Sequence, residues 1–116
     1  MDTALDELDR AIAEAVGWAD VRMGSDGRLT GRRPATGLEH VDDVPQYSRN
    51  LESAWSIVRW MWATHRLGVA LGGHDGYWWS DFSVADCALL GDARGRSAAE
   101  AICRAALAAL ADLEER

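Results

Sequence analysis

Leu67-Gly68-Val69-Ala70-Leu71-Gly72-Gly73-His74-Asp75-Gly76-Tyr77-Trp78-Trp79-Ser80-Asp81-Phe82 is the stretch that decides the fold. Two short apolar runs flank a turn rich in glycine. That pattern reads as a β-hairpin, because glycine, histidine and aspartate tolerate the positive φ angles of tight turns. Alternation puts Leu67, Val69 and Leu71 on one face of the first strand and Gly68 and Ala70 on the other. On the return strand Tyr77, Trp79 and Asp81 share one face; Trp78, Ser80 and Phe82 share the other. A sheet face stripped of bulk invites a closely packed helix.

Such a helix follows. Ser97 and Glu100 have capping-box spacing, and the helix they open is expected to run towards Leu113. Its buried stripe, Ile102, Ala105, Ala106, Ala109, Leu110 and Leu113, is mostly alanine. Ala105 and Ala109 are therefore expected against the small side at Gly68 and Ala70. Ala85 to Leu90 reads as a last strand and Gly91 to Arg96 as a loop.

Upstream, Pro45-Gln46-Tyr47-Ser48 leads into an apolar helix from Leu51 to Thr64, with Ser48 as its expected N-cap. Leu51, Ala54, Trp55, Val58, Met61 and Trp62 form one stripe, and Ile57 and Trp60 fall beside it. Five of the six tryptophans lie between Pro45 and Phe82. At the start of the chain, Leu5, Leu8, Ile12, Ala15 and Val16 recur at helical spacing from Thr3 to Val16. Acidic residues crowd the first turns, and Gly17 ends the helix. Val21-Arg22-Met23 and Arg28-Leu29-Thr30 read as a hairpin about Ser25-Asp26-Gly27. Gly31 to Asp43 reads as loop, with Arg32 and Arg33 solvated.

Helices on both faces of a small antiparallel sheet make an α+β protein, an α-β-α sandwich, in one domain spanning 1–116. With 116 residues, the chain is long enough to bury a core without disulfides or metal. Cys87 and Cys103 fit no zinc spacing, and His40, His65 and His74 fit no metal motif. No cofactor or metal is expected. No apolar run reaches membrane length, and the acidic N-terminus is not a secretory signal, so a cytoplasmic protein is expected. A net charge of −7 argues against non-specific duplex binding. All 12 basic residues are arginine, concentrated in the middle of the chain.

Three pieces together resemble the phage ABA-sandwich domain family. They are Pro45-Gln46-Tyr47-Ser48 with Ala54-Trp55, then Asp75-Gly76-Tyr77-Trp78, then Ala101-Ile102-Cys103-Arg104-Ala105-Ala106-Leu107. Trp18 after the first helix also fits. The resemblance covers Pro45 to Leu107; Ala63 to Arg66 departs from it. It implies an α-β-α sandwich of phage origin, in the host cytoplasm, and carries no established activity.

The chemistry-bearing residues are few. Gly91-Asp92-Ala93-Arg94-Gly95-Arg96-Ser97 echoes a phosphate loop, with one residue missing between the glycines and arginine in place of lysine. Arg94, Arg96 and the N–H groups after Ser97 would grip an anion. Against that stands the plain helix cap, in which the arginines are solvated and Glu100 repels an anion. Tyr77, Trp78 and Trp79 read first as core; the alternative is a flat surface for a base, offered by Trp78 or Trp79, with Trp79 beside Asp81 the better placed. Asp42-Asp43 and Asp81/Asp86 are candidate paired carboxylates, better explained as surface charge. No catalytic set emerges. The expected function is a phage accessory protein, a binding module that sequesters a host small molecule such as a signalling nucleotide in an anti-defence role. Two alternatives stand beside it: docking on a host protein through the tryptophan-rich helix, and, more remotely, nucleotide hydrolysis. A homo-oligomer is expected as well.

Overall fold

The computed structural model describes residues 3–34, 41–84 and 89–115. Among them are three helices and six strands, in the order α1 (Thr3–Ala15), β1 (Ala19–Met23), β2 (Leu29–Arg32), β3 (Val41–Asp43), α2 (Leu51–His65), β4 (Gly68–His74), β5 (Tyr77–Ser83), β6 (Leu89–Gly95) and α3 (Ala98–Glu114). The α+β sandwich stands, but its layers differ in detail. The strands form two three-stranded antiparallel sheets, β1-β2-β3 and β4-β5-β6. Helix α3 lies against β5 and β6 and also meets α1 and α2, so α3 is the middle layer.

The elements follow from their sequences. Leu8, Ile12 and Ala13 bury one side of α1. Gly17 at φ 106° reverses the chain after it, and the Trp18 N–H returns to the Ala13 carbonyl at 2.9 Å. An L-residue with a side chain would be strained at that φ. Helix α2 is capped by Asn50, whose side chain accepts the Ser53 N–H, and not by Ser48. Ser48 is buried two residues earlier, and its N–H donates 2.7 Å to the Asp9 carboxylate. Its hydroxyl reaches the Leu5 carbonyl at 3.3 Å. A turn at 47–49 separates the good capping residue from the helix start.

That contact is the chief buried polar link of the core. Asp9 is only 3% exposed, and burial pushes its carboxyl above the ordinary range, opposed by the hydrogen bonds from Ser48 and by the nearby Arg49 guanidinium. Arg49 bridges Asp6 at 2.7 Å and Asp9 at 3.4 Å. So α1 is fastened to the turn that leads into α2.

Two regions read as loop are strands. Val41–Asp43 pairs with β2, inside the segment assigned to loop; residues 35–40 of that segment lie outside those described. Gly91 to Gly95 pairs with β5, so the expected phosphate loop is an extended strand. Of the expected strand Ala85 to Leu90, only Leu89 and Leu90 are described, and both belong to β6.

Helix α3 does pack at close range, as its alanines require. Its docking surface is the glycines of β6, not Gly68 and Ala70. A Cβ on Gly91 would sit 2.3 Å from the Ala109 nitrogen and 2.7 Å from the Ala105 oxygen. A Cβ on Gly95 would sit 2.6 Å from the Ala101 nitrogen. A Cβ on Gly68 would meet nothing within 4 Å. Register assigns the faces: Phe82 pairs with Val69 and Gly91, and Ser80 with Leu71 and Ala93, on the helix side. Phe82 and Ser80 are fully buried there. Cys103 is a buried free thiol, pushed up to about 12 by burial, and so is inert at neutral pH.

Candidate functional site

The other face of β4-β5-β6 is uncovered among the described residues. Alternation puts His74, Tyr77, Trp79, Asp81, Asp92 and Arg94 on it. Trp79 pairs across to Gly72 on one side and Arg94 on the other. Its indole lies flat over Gly72, where a Cβ would come within 2.4 Å of the ring, and Trp79 remains 38% exposed. The glycine is therefore what lets the ring lie down on the sheet. Arg94 leans over Tyr77, its guanidinium carbon 4.8 Å from the ring centroid. Tyr77 in turn stacks on His74 at 5.2 Å between centroids.

Asp81 and Asp92 are direct cross-strand partners. Like charges set opposite one another destabilise a sheet. Partial burial, with the Asp92 charge adding to it, raises the Asp81 carboxyl above its ordinary range. A shallow cleft of about 250 Å³ runs between Tyr77, Trp79, Asp81, Leu89, Asp92 and Arg94. The cleft thus combines aromatic rings, one guanidinium and two carboxylates.

The residues expected to form a site divide here. Trp79 and Arg94 come together on the open face. Trp78 points to the opposite side, over Gly73 and across from Gly95. Arg96 is exposed, one residue past the end of β6. Ser97 is the N-cap of α3, its hydroxyl accepting the Glu100 N–H at 3.1 Å. The Glu100 carboxylate pairs with Arg104 at 2.8 Å. The helix start is thus a self-satisfied cap, separate from Arg94.

Other candidates resolve as surface pairs. Asp42 pairs with Arg33, Asp43 with Arg28, and Arg32 with Asp20. Arg33 also lies over the Trp18 ring at 5.0 Å. Of the pair Asp81/Asp86, Asp86 lies outside the described residues, as do Cys87 and His40. Sequence reading missed the pairing of Asp81 with Asp92. It follows from the hairpin register only once Gly91 to Gly95 is recognised as a strand. Among the described residues, no group of His, Cys, Asp and Glu is disposed to hold a metal ion, and no helix is long and apolar enough to cross a membrane.

The fold and this surface define an α+β sandwich with one open sheet face. The chain belongs to the phage ABA-sandwich domain family, whose profile matches residues 10–107. Its structure is similar to the 2.0 Å crystal structure of a phage protein from Bacillus cereus ATCC 14579, at TM-score 0.67 and 19% identity, over 96% of this chain and 91% of that one. At that identity the likeness speaks to the fold alone. No curated protein matches the chain.

Proposed function

We propose that this phage-family protein is a non-enzymatic binding module that captures a small phosphorylated ligand of the nucleotide type on the open face of β4-β5-β6. The observation that carries the reading is the cross-strand pairing of Trp79 with Arg94 on an uncovered face. A flat ring and a guanidinium side by side suit a base and its phosphate. Asp81 and Asp92 supply acceptors for sugar hydroxyls or an exocyclic amine. The two like charges are costly in the free protein, and a donor placed between them would offset that cost. On this reading the capture sequesters a host signalling nucleotide, an anti-defence role.

Titration with a panel of ribonucleoside phosphates, followed by tryptophan fluorescence and calorimetry, tests this. Binding is expected to quench Trp79 and to weaken with added salt. Arg94→Ala is expected to cost about 1.5–3 kcal/mol of affinity, the worth of hydrogen bonds to a charged group. Mass spectrometry of the released ligand is expected to return it unchanged. Full affinity in the Arg94/Arg96 double alanine variant would remove the site from this face, and recovery of a cleaved product would make the protein an enzyme.

A further inference from the structure

Helix α2 carries a second apolar surface, bordering its core contacts. Its buried face is Ala54, Ile57, Val58 and Met61. Ile57, expected beside the main stripe, is therefore core, and Trp60 is partly buried against that core. The residues left outside are Leu51 at 51% exposed, Trp55 at 42% and Trp62 at 53%. At 3.6 residues per turn these three fall within roughly 40° of one another around the axis. They form a continuous apolar stripe. Arg66, the left-handed residue that ends the helix, covers one end of it, its guanidinium 5.7 Å from the Trp62 ring.

One rim of the stripe is charged, and its charges are unspent. Glu52 and Arg59 lie on the same side of α2, seven residues apart, which is about 10 Å along the axis and too far to pair with each other. Neither makes an ion pair with any other described residue. An acid near the start of a helix and a base two turns later complement the same helix run in the opposite direction.

We infer that the Leu51–Trp55–Trp62 face of α2 is the interface of a two-fold homodimer in which two α2 helices pair antiparallel. A two-fold axis near Ser56 sets Leu51 against the partner's Trp62 and brings the two Trp55 rings together. The same axis sets Glu52 against the partner's Arg59, twice. All three matches hold within about 3 Å of helical rise, a span that tryptophan and arginine side chains bridge. A two-fold interface must be self-complementary, and this stripe is so in both its apolar residues and its charges. Tryptophan and arginine are also the residues that dominate binding energy at interfaces. With only three large side chains at its centre, the dimer is expected to be of micromolar strength.

Sedimentation equilibrium over a range of concentrations tests the pairing, with circular dichroism confirming that each variant is folded. The wild type is expected to pass from monomer to dimer across the micromolar range, and Trp55→Glu to stay monomeric. Glu52→Arg and Arg59→Glu are each expected to weaken the dimer roughly fivefold. The double variant Glu52→Arg/Arg59→Glu restores it, because the swapped charges again face each other. A wild type that remains monomeric at high micromolar concentration overturns the inference, as does one that is monomeric alone and joins only a different protein. A dimer that survives Trp55→Glu overturns it too, since the contact would then lie elsewhere. So does a double swap that fails to recover.

Discussion

The two faces of the β4-β5-β6 sheet are built from the same kinds of residue and have opposite fates. On the closed face, Gly91 and Gly95 let α3 approach until its backbone touches the strand. On the open face, Gly72 lets a tryptophan ring lie down on the sheet. In both cases glycine makes room. What occupies the room decides the consequence: a helix backbone cannot move aside, and an exposed indole can. Close packing in the first case is structural, whereas the second leaves a ring exposed on the sheet surface.

Substitutions at matched positions sharpen or break this contrast. Gly91→Ala is expected to have the largest effect, destabilising by about 3 kcal/mol, because the new Cβ meets the backbone at Ala109. A urea midpoint equal to that of the wild type would mean α3 does not sit where described. Ala105→Leu overpacks the same contact from the helix side and is expected to cost about 2 kcal/mol by the same measurement. Gly72→Ala puts a methyl group equally close to its neighbour, yet stability should stay within about 1 kcal/mol of wild type, because the Trp79 ring swings away. Its signature is a shifted tryptophan emission spectrum and weakened ligand capture. A loss of stability as large as at Gly91 would erase the distinction between the faces.

The smallest expected effect is electrostatic. The folded Asp81 carboxyl titrates above its unfolded value of 3.8. The protonated form is therefore favoured in the folded state. Its contribution to stability is full below the unfolded value and is lost as pH rises through the raised one. Asp92→Asn removes the facing charge and leaves partial burial, the larger cause. The Asp81 titration followed by NMR should then move downward without reaching the unfolded value. An unchanged titration would show that the two carboxylates do not face each other.

Much of this architecture was legible in the sequence. The hairpin at 68–83, the alanine helix with its Ser97 cap, and the glycine stop after α1 each rest on strong local chemistry. Other features depend on distant contacts. Gly91-Asp92-Ala93-Arg94-Gly95 has no β-branched residue and reads as a loop, yet it is a strand because β5 pairs with it and α3 needs its glycines. Ser48 is a better N-cap by type than by position, since Asp9, 39 residues earlier, takes its N–H. The helical spacing of α2 shows several apolar faces without saying which one turns inward. Gly68 and Ala70 matched the alanine helix in size as well as Gly91 and Gly95 do; only the strand order distinguishes them. For the site, the pairing of Trp79 with Asp81 along one strand was visible, and Arg94 joined them only through register.

The glycines of β6 also bear on how such a chain can diverge. Glycine has no smaller replacement, so Gly91 and Gly95 admit no change that keeps the helix where it is. The positions one residue away, Asp92 and Arg94, point outward and carry none of that constraint. Drift along a single strand is thus partitioned residue by residue. Descendants of this protein could exchange the side chains of the open face many times over while inheriting an unaltered scaffold behind it.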